Sequence, residues 1–151
     1  MKILFTAFKG IHNTSFQLVN QIAEQTGADC VLLTNSFQGL KKDIASISGN
    51  YDIVHMFGAD AHLTDEIRIE TCAKNNNNEI LNTDYDISLL EQKLRAGKVH
   101  YTVSHQPACY LCNTAYYYML RKNPNTVFIH IPSLRRMTAE KMKQLIEVFS
   151  S

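Results

Sequence analysis

The sequence lacks the features that would place it among nucleic-acid-binding, membrane-spanning or exported proteins. Its 151 residues carry a net charge of +1, and no basic run is long enough to indicate binding to nucleic acid. No apolar run approaches the roughly 18 residues that a membrane-spanning helix requires. The opening MKILFTAF passes into a strand pattern without a long apolar leader or a cleavage site. We therefore expect a cytoplasmic protein whose partners include neither nucleic acid nor a membrane.

The composition that is present is that of a soluble globular protein. Apolar residues make up 45% of the chain and charged residues 19%, which is ordinary for this class. The four cysteines are expected to be reduced thiols, because disulfides belong mainly to exported proteins. One or two of them are therefore candidates for a functional role.

Short apolar runs alternate with helical patterns along the chain. Residues 66–73 alternate polar and apolar side chains, which predicts a strand with one exposed face, and the run Asn75–Asn78 predicts a loop. Thr138 is a plausible N-cap of the last helix. Strands are predicted at residues 2–8, 30–34, 51–58, 66–73, 99–104 and 126–132, and helices at 14–27, 40–48, 86–97, 108–122 and 138–150.

This alternation, without an internal repeat or a linker, predicts a single α/β domain over residues 1–151. The expected architecture is a three-layer α/β/α domain with a mostly parallel twisted sheet. Functional sites in such sheets lie at the carboxyl ends of strands. The ends of strands 99–104 and 126–132, and the loop after strand 2–8, are therefore the places to search.

One segment, SHQPACYLCNTAYYYML at residues 104–120, places Cys109 and Cys112 just after a proline and at the start of an aromatic helix. This spacing suits a metal knuckle, a dithiol redox pair or a cysteine nucleophile. A metal site would need a second close pair of ligands, and only His105 lies nearby. A redox pair usually lies earlier in its domain, and two ordinary core cysteines are the simplest alternative.

Other residues favour the interpretation of Cys112 as a cysteine nucleophile. Cys112 follows a strand and opens a helix, where the helix dipole and free amide groups are expected to lower the pKa of a thiol. His130 lies near the end of the next strand in sequence, which we expect to be a neighbour in the sheet, and histidine is the natural base near neutral pH. Glu70 is a candidate for orienting the imidazole. A core histidine and a solvated glutamate are the alternatives for these two residues.

These residues lie in segments that resemble those of the type I pyroglutamyl peptidases (pyrrolidone-carboxylate peptidases), which remove an N-terminal 5-oxoproline. SHQPACYLCN at 104–113 is similar to the family's S-x-x-A-G-x-Y-x-C-N, and VFIHIP at 127–132 to G-F-I-H-[VI]-P. ETCAKN at 70–75 is similar, more weakly, to E-R-V-A-x-N. MKILFTAF and the later NTS at 13–15 resemble M-K-[IV]-L-[IV]-T-G-F and N-P-S. The likeness spans nearly the whole chain.

The resemblance implies a cysteine peptidase without metal or cofactor, acting on a peptide or a small N-acyl amide. Cys112 would attack the carbonyl, and His130 would accept the thiol proton and later protonate the departing amine. Glu70 would hold the imidazole. By the same resemblance, Phe8 would form one wall of the lactam pocket and Asn13 would supply a polar contact.

Several departures from the family pattern affect the predicted pocket. The F-x-P-F-G-G loop is reduced to FKGIHNTS at 8–15, which leaves Ile11 in place of a second aromatic wall. A family glutamine aligns with Ala59, Pro107-Ala108 replace A-G, and NNNNEI at 75–80 replaces an arginine-containing segment. The alternative function is a catalytically weak relative acting as a dithiol redox or binding protein through Cys109 and Cys112. Whether these two cysteines bond, and whether the chain forms a homo-oligomer, stays open.

Overall fold

A computed structural model describes residues 1–151, in which strands and helices alternate along most of the chain. The strands are β1 (Ile3–Phe8), β2 (Asp29–Leu33), β3 (Ile53–Asp60), β4 (Ile67–Glu70), β5 (Cys72–Lys74), β6 (Ile80–Asn82), β7 (Tyr101–Ser104) and β8 (Thr126–Pro132). The helices are α1 (Thr14–Thr26), α2 (Phe37–Ala45), α3 (Ile87–Ala96), α4 (Tyr110–Lys122) and α5 (Ala139–Ser150). None of these helices combines the length and apolar character needed to cross a membrane.

Six strands form one sheet in the order β2-β1-β3-β8-β4-β7, and β5 pairs with β6 in a separate hairpin. All neighbouring pairs in the large sheet are parallel except β4 with β8. The predicted α/β class with a mostly parallel sheet is therefore confirmed. The helices cover both faces, with α1, α3 and α5 on one and α2 and α4 on the other.

The prediction that the strands before and after Cys112 are neighbours is wrong. β4 lies between β7 and β8 and runs antiparallel to β8, so the carboxyl ends of β7 and β8 do not meet at one edge. The connection between β3 and β4 spans only residues 61–66. A parallel return needs a crossover of about a dozen residues or more, so this short connection can only reverse the chain direction.

The helices begin and end at residues that are suited to capping. Asn13 caps α1 by accepting a hydrogen bond from the Ser15 N–H, and Gly27 ends it at a φ of 71°. Thr138 caps α5 as predicted. Helix α2 begins at Phe37, earlier than predicted, because the Ser36 side chain accepts from the Gly39 N–H. The run Asn75–Asn78 forms the turn between β5 and β6, and the predicted strand 66–73 is interrupted at Thr71.

Candidate active site

Three adjacent strands present polar groups to the face of the sheet covered by α2 and α4. In the strand register, Gly58 of β3 and Arg68 of β4 both lie opposite His130 of β8. Because side chains alternate between faces, Asp60 shares a face with Gly58, and Glu70 shares one with Arg68. The sheet therefore gathers a histidine, an arginine and two carboxylates at one place.

His130 and Glu70 form a buried hydrogen-bonded pair. His130 Nδ1 lies 2.8 Å from Glu70 Oε2, and the two side chains are 6% and 1% exposed. Arg68 Nη2 lies 3.3 Å from the same Nδ1, but a guanidinium can only donate, and the carboxylate is closer. We therefore assign the Nδ1 proton to the bond with Glu70. This tautomer leaves the Nε2 lone pair free to act as a base.

Arg68 joins the two carboxylates. Its Nε donates to Glu70 Oε2 at 2.6 Å, and its Nη2 donates to Asp60 Oδ2 at 2.7 Å. Burial alone would raise the pKa of Asp60, but hydrogen bonds from the His62 N–H and from Arg68 lower it to about 2. Asp60 is therefore ionised near neutral pH, and Arg68 compensates part of the negative charge of the site.

Sequence reasoning missed both Arg68 and Asp60. The available signal was the period of two along β4, which puts Arg68 on the same side as Glu70. The alternation predicts an exposed polar face, whereas the Arg68 side chain is only 27% exposed and that of Glu70 only 1%. Buried charges of this kind need partners, and Arg68 supplies one.

The thiol of Cys112 lies over the same part of the sheet. Cys109 occupies the N-cap of α4, which places Cys112 in its first turn. A Cβ atom added to Gly58 would lie 3.0 Å from Cys112 Sγ and 2.9 Å from the Phe128 ring, so glycine is what lets the thiol approach β3. Since Gly58 is opposite His130, thiol and imidazole lie over adjacent strands. The imidazole donates its Nδ1 hydrogen bond to Glu70, and no hydrogen bond joins the ring to Cys112.

The prediction of a lowered pKa for the Cys112 thiol is wrong. Burial raises the pKa of the Cys112 thiol to about 12, with further contributions from Glu70, Asp60 and Cys109, and Arg68 opposes them only in part. The start of a helix lowers the pKa of a thiol by less than burial and two nearby carboxylates raise it. The thiol is therefore protonated near neutral pH, and a base must remove its proton during attack.

Alkylation by iodoacetamide is expected to follow this raised pKa. At about pH 6 to 7 Cys112 should react more slowly than the exposed Cys30 and Cys109, and its rate should rise about tenfold per pH unit as thiolate forms. Peptide mass spectrometry of timed samples measures each cysteine separately. Faster labelling of Cys112 than of the two exposed cysteines at mildly acidic pH would show a preformed thiolate instead.

The start of α4 offers backbone donors beside the thiol. No side chain caps this helix, whereas α1, α2, α3 and α5 each have a side-chain cap. The first N–H groups of a helix have no partner within the helix, so those of the first turn of α4 are free to receive negative charge on a substrate oxygen. Tyr110, two residues before Cys112, has a φ of 63°, a conformation that only few non-glycine residues adopt.

The three predicted pocket residues lie in different environments. Phe8 is 4% exposed at the end of β1, in the hydrophobic cluster against which Cys112 packs. Asn13 Oδ1 accepts from the Ser15 N–H at 2.9 Å and from the Ser15 hydroxyl at 2.6 Å, and its amide NH₂ has no intramolecular acceptor. Ile11 is 71% exposed in the loop after β1. The structure thus brings Phe8 toward the thiol and leaves Ile11 in solvent.

Comparison with known proteins identifies structures that share this fold. No protein-family model and no curated protein matches the chain, but solved structures do. Pyrrolidone carboxyl peptidase from Fervidobacterium islandicum AW-1 covers 99% of this chain and 94% of its own, with a TM-score of 0.82 and 19% identity. The Thermus thermophilus enzyme covers 98% and 97%, with a TM-score of 0.80 and 17% identity. Pyroglutamyl peptidase I from Bacillus amyloliquefaciens covers 99% of this chain and 95% of its own, with a TM-score of 0.76 and 18% identity. The chain therefore has the fold of the pyrrolidone carboxyl peptidases, as its sequence motifs predicted.

Proposed function

We propose that this protein is a cysteine peptidase that removes an N-terminal pyroglutamyl (5-oxoproline) residue from peptides. Cys112 is the nucleophile, His130 the general base and acid, and Glu70 the group that orients the imidazole. The observation that carries the proposal is the buried 2.8 Å hydrogen bond between His130 and Glu70, next to the strand over which the Cys112 thiol lies. The fold shared with pyrrolidone carboxyl peptidases supports the choice of substrate class.

In the proposed reaction, His130 Nε2 accepts the Cys112 proton as the sulfur attacks the carbonyl of the pyroglutamyl amide. The N–H groups at the start of α4 stabilise the negative oxygen of the tetrahedral intermediate. The imidazolium then protonates the departing amine as the C–N bond breaks. In the second half, His130 removes a proton from water as the water oxygen attacks the thioester, and the C–S bond breaks. The imidazolium returns its proton to the Cys112 sulfur, which releases pyroglutamic acid and restores the thiol.

The charges around His130 fit this order of events. With a neutral imidazole, Glu70 and Asp60 carry two negative charges against the single positive charge of Arg68. The excess negative charge opposes a thiolate, which agrees with the raised pKa of Cys112, but it stabilises the imidazolium that forms on attack. The site is therefore better suited to a base that acts during the reaction than to a preformed ion pair.

The dithiol redox alternative is not favoured by the comparisons, since the structures named above are peptidases. Cys109 has instead the position of the N-cap of α4, three residues before the nucleophile. The proposed pocket uses Phe8 as its apolar wall and the free amide of Asn13 as its polar contact. With Ile11 exposed, we expect the lactam to be held less firmly than a two-walled pocket would hold it.

A panel of fluorogenic amides tests this function. Pyroglutamyl, prolyl, acetyl and other small N-acyl reporters are compared for kcat and KM, with Cys112→Ala protein as the blank. We expect the pyroglutamyl reporter to have the highest kcat/KM, with weak saturation, because a missing wall raises KM when it removes uniform binding. Selective cleavage of another acyl group would assign the same chemistry to a different substrate. If none of the reporters is cleaved, the proposed function is wrong.

A further inference from the structure

The carboxylate of Glu70 reaches the imidazole of His130 by a diagonal contact between two strands. In the antiparallel register of β4 and β8, Arg68 lies directly opposite His130, whereas Glu70 lies opposite Phe128. Directly opposite residues have Cβ atoms about 5 Å apart, and diagonal neighbours are separated by about 7–8 Å. The Glu70 side chain must therefore extend along the strand to meet the ring, and its backbone position alone does not fix its oxygen atoms.

Other contacts hold the Glu70 backbone and the His130 ring. The Tyr116 hydroxyl donates a hydrogen bond of 2.8 Å to the Glu70 backbone carbonyl, and the Phe128 and His130 rings pack with centroids 4.8 Å apart. Neither contact touches the carboxylate. Both hydrogen bonds of the carboxylate end on Oε2, and they come from His130 Nδ1 at 2.8 Å and Arg68 Nε at 2.6 Å. Arg68 is thus the group that fixes this oxygen independently of the imidazole.

Arg68 is in turn held by the end of β3. Its Nη2 donates to Asp60 Oδ2 at 2.7 Å, and the other oxygen of Asp60 accepts from the His62 backbone N–H at 2.9 Å. A continuous hydrogen-bonded network therefore runs from a backbone amide through Asp60, Arg68 and Glu70 to the imidazole. No distance along it exceeds 2.9 Å. Such a network restricts the geometry of each of its members.

Arg68 is also the permanent cation beside the imidazole. The titratable groups around the His130–Glu70 pair come from β3 and the turn after it, from β4, from β5 and from α4. They are Asp60, His62, Arg68, Cys72, Cys112 and Tyr116. The His62 side chain is 96% exposed, and the two cysteines and the tyrosine have raised pKa values and are uncharged near neutral pH. The charge state of the imidazole therefore depends on two carboxylates and one guanidinium.

We propose that Arg68 and Asp60 are positioning residues for the Cys112–His130–Glu70 group. Arg68 holds Glu70 Oε2 where it accepts the Nδ1 proton of His130, and Asp60 holds the guanidinium in place. The positive charge of Arg68 also keeps the resting imidazole neutral, so that Nε2 can accept the thiol proton. The kinetic consequences of this arrangement rest on the proposed function, whereas the network itself does not.

Three variants separate the orientation of the imidazole from its charge. Arg68→Gln removes the cation, Asp60→Asn removes one acid but keeps an oxygen for the His62 N–H, and Arg68→Lys keeps the charge without the planar fork that bonds to both carboxylates. We expect each to lower kcat for a pyroglutamyl reporter by about tenfold to a hundredfold, because a small misplacement of a reacting group has effects of this size. KM should change less than about threefold, since uniform binding is kept. Circular dichroism checks the fold.

The pH profile of kcat/KM tests the sign of each charge. Loss of the Arg68 cation stabilises the imidazolium, so the acid side of the profile should move to higher pH by about one unit in Arg68→Gln. Loss of the Asp60 charge destabilises the imidazolium, so Asp60→Asn should move it to lower pH. Arg68→Lys should leave it near the wild-type position. A purely structural role for the two residues would not produce shifts in opposite directions.

The matched control is Arg95→Gln, which breaks the arginine–carboxylate pair with Glu91 on α3 and should leave kcat and the pH profile unchanged. The proposal would be overturned by kcat values within twofold of wild type in both Arg68→Gln and Asp60→Asn. Shifts of both pH profiles in the same direction would overturn it as well.

Nitrogen-15 NMR of the histidine rings needs no substrate and keeps this test separate from the proposed function. His130→Ala protein assigns the His130 signals. At the lowest pH at which the wild-type ring is neutral, its proton should lie on Nδ1, whereas the ring in Arg68→Gln should be protonated on both nitrogens. If this change occurs in a protein that cleaves no reporter, the positioning role stands and the proposed function is wrong. An unchanged ring in Arg68→Gln would exclude the positioning role.

Discussion

Replacing Cys112 with serine is expected to lower hydrolysis of a pyroglutamyl reporter by at least about 10⁴-fold, as loss of a nucleophile does in other hydrolases. A serine hydroxyl fits the space of the thiol over Gly58, so the fold should be retained. It is a far weaker acid than a thiol, and even the thiol of Cys112 needs a base because its pKa is raised to about 12. Steady-state kinetics measures the rate, and thermal unfolding followed by circular dichroism measures the fold.

Cys109→Ser is the matched control for this variant. Cys109 is exposed and occupies the N-cap of α4 without a side-chain hydrogen bond, and serine is a better N-cap residue than cysteine. The control should therefore keep its activity within a few-fold and keep or raise its melting temperature. Unchanged turnover in Cys112→Ser, or loss of turnover in Cys109→Ser alone, would move the nucleophile away from Cys112.

Removing the His130 imidazole is expected to lower kcat/KM by at least about 10²-fold, the usual contribution of a positioned base. His130 lies on the strand next to the one that the thiol approaches, and its Nδ1 is already bound to Glu70 at 2.8 Å. Since the thiol is protonated at rest, attack without the imidazole must wait for the rare thiolate. His130→Ala should therefore regain rate as the pH is raised, whereas the wild-type rate should not.

Glu70→Gln separates the charge of the carboxylate from its shape. Glutamine keeps the volume but holds the imidazole less strictly in one tautomer, and Arg68 loses one of its two acidic partners. We expect the loss to fall on kcat more than on KM, and the double variant His130→Ala/Glu70→Gln to be little worse than His130→Ala alone, because the two residues act as a unit. A His130→Ala rate within a few-fold of wild type would exclude His130 from the mechanism.

The sequence predicted the elements of the fold better than their arrangement. Apolar periodicity located the strands and helices of the large sheet, because burial of one face imposes a period on the side chains. The order of the strands was not predictable in the same way. The place of β4 between β8 and β7 follows from the short connection at residues 61–66 and from long-range pairing, which local patterns do not contain.

The candidate site could also be predicted only in part from the sequence. Cys112, His130 and Glu70 were identified from residue types in separated motifs, and the structure brings them to adjacent strands and one helix start. Arg68 and Asp60 were missed because alternation along a strand shows which residues share a face, not whether that face is covered. The direction of the Cys112 pKa depends on burial and on two carboxylates from other strands, so it required the structure.

Trapping the acyl-enzyme shows directly whether Cys112 carries the pyroglutamyl group during turnover. Hydrolysis of a pyroglutamyl reporter is stopped with acid while substrate is still in excess. The masses of the intact protein and of its proteolytic peptides are then measured by mass spectrometry. We expect a mass gain of one pyroglutamyl group on the peptide that contains Cys112, and no gain in Cys112→Ser. Active turnover in which the acyl group is attached to another residue would contradict it.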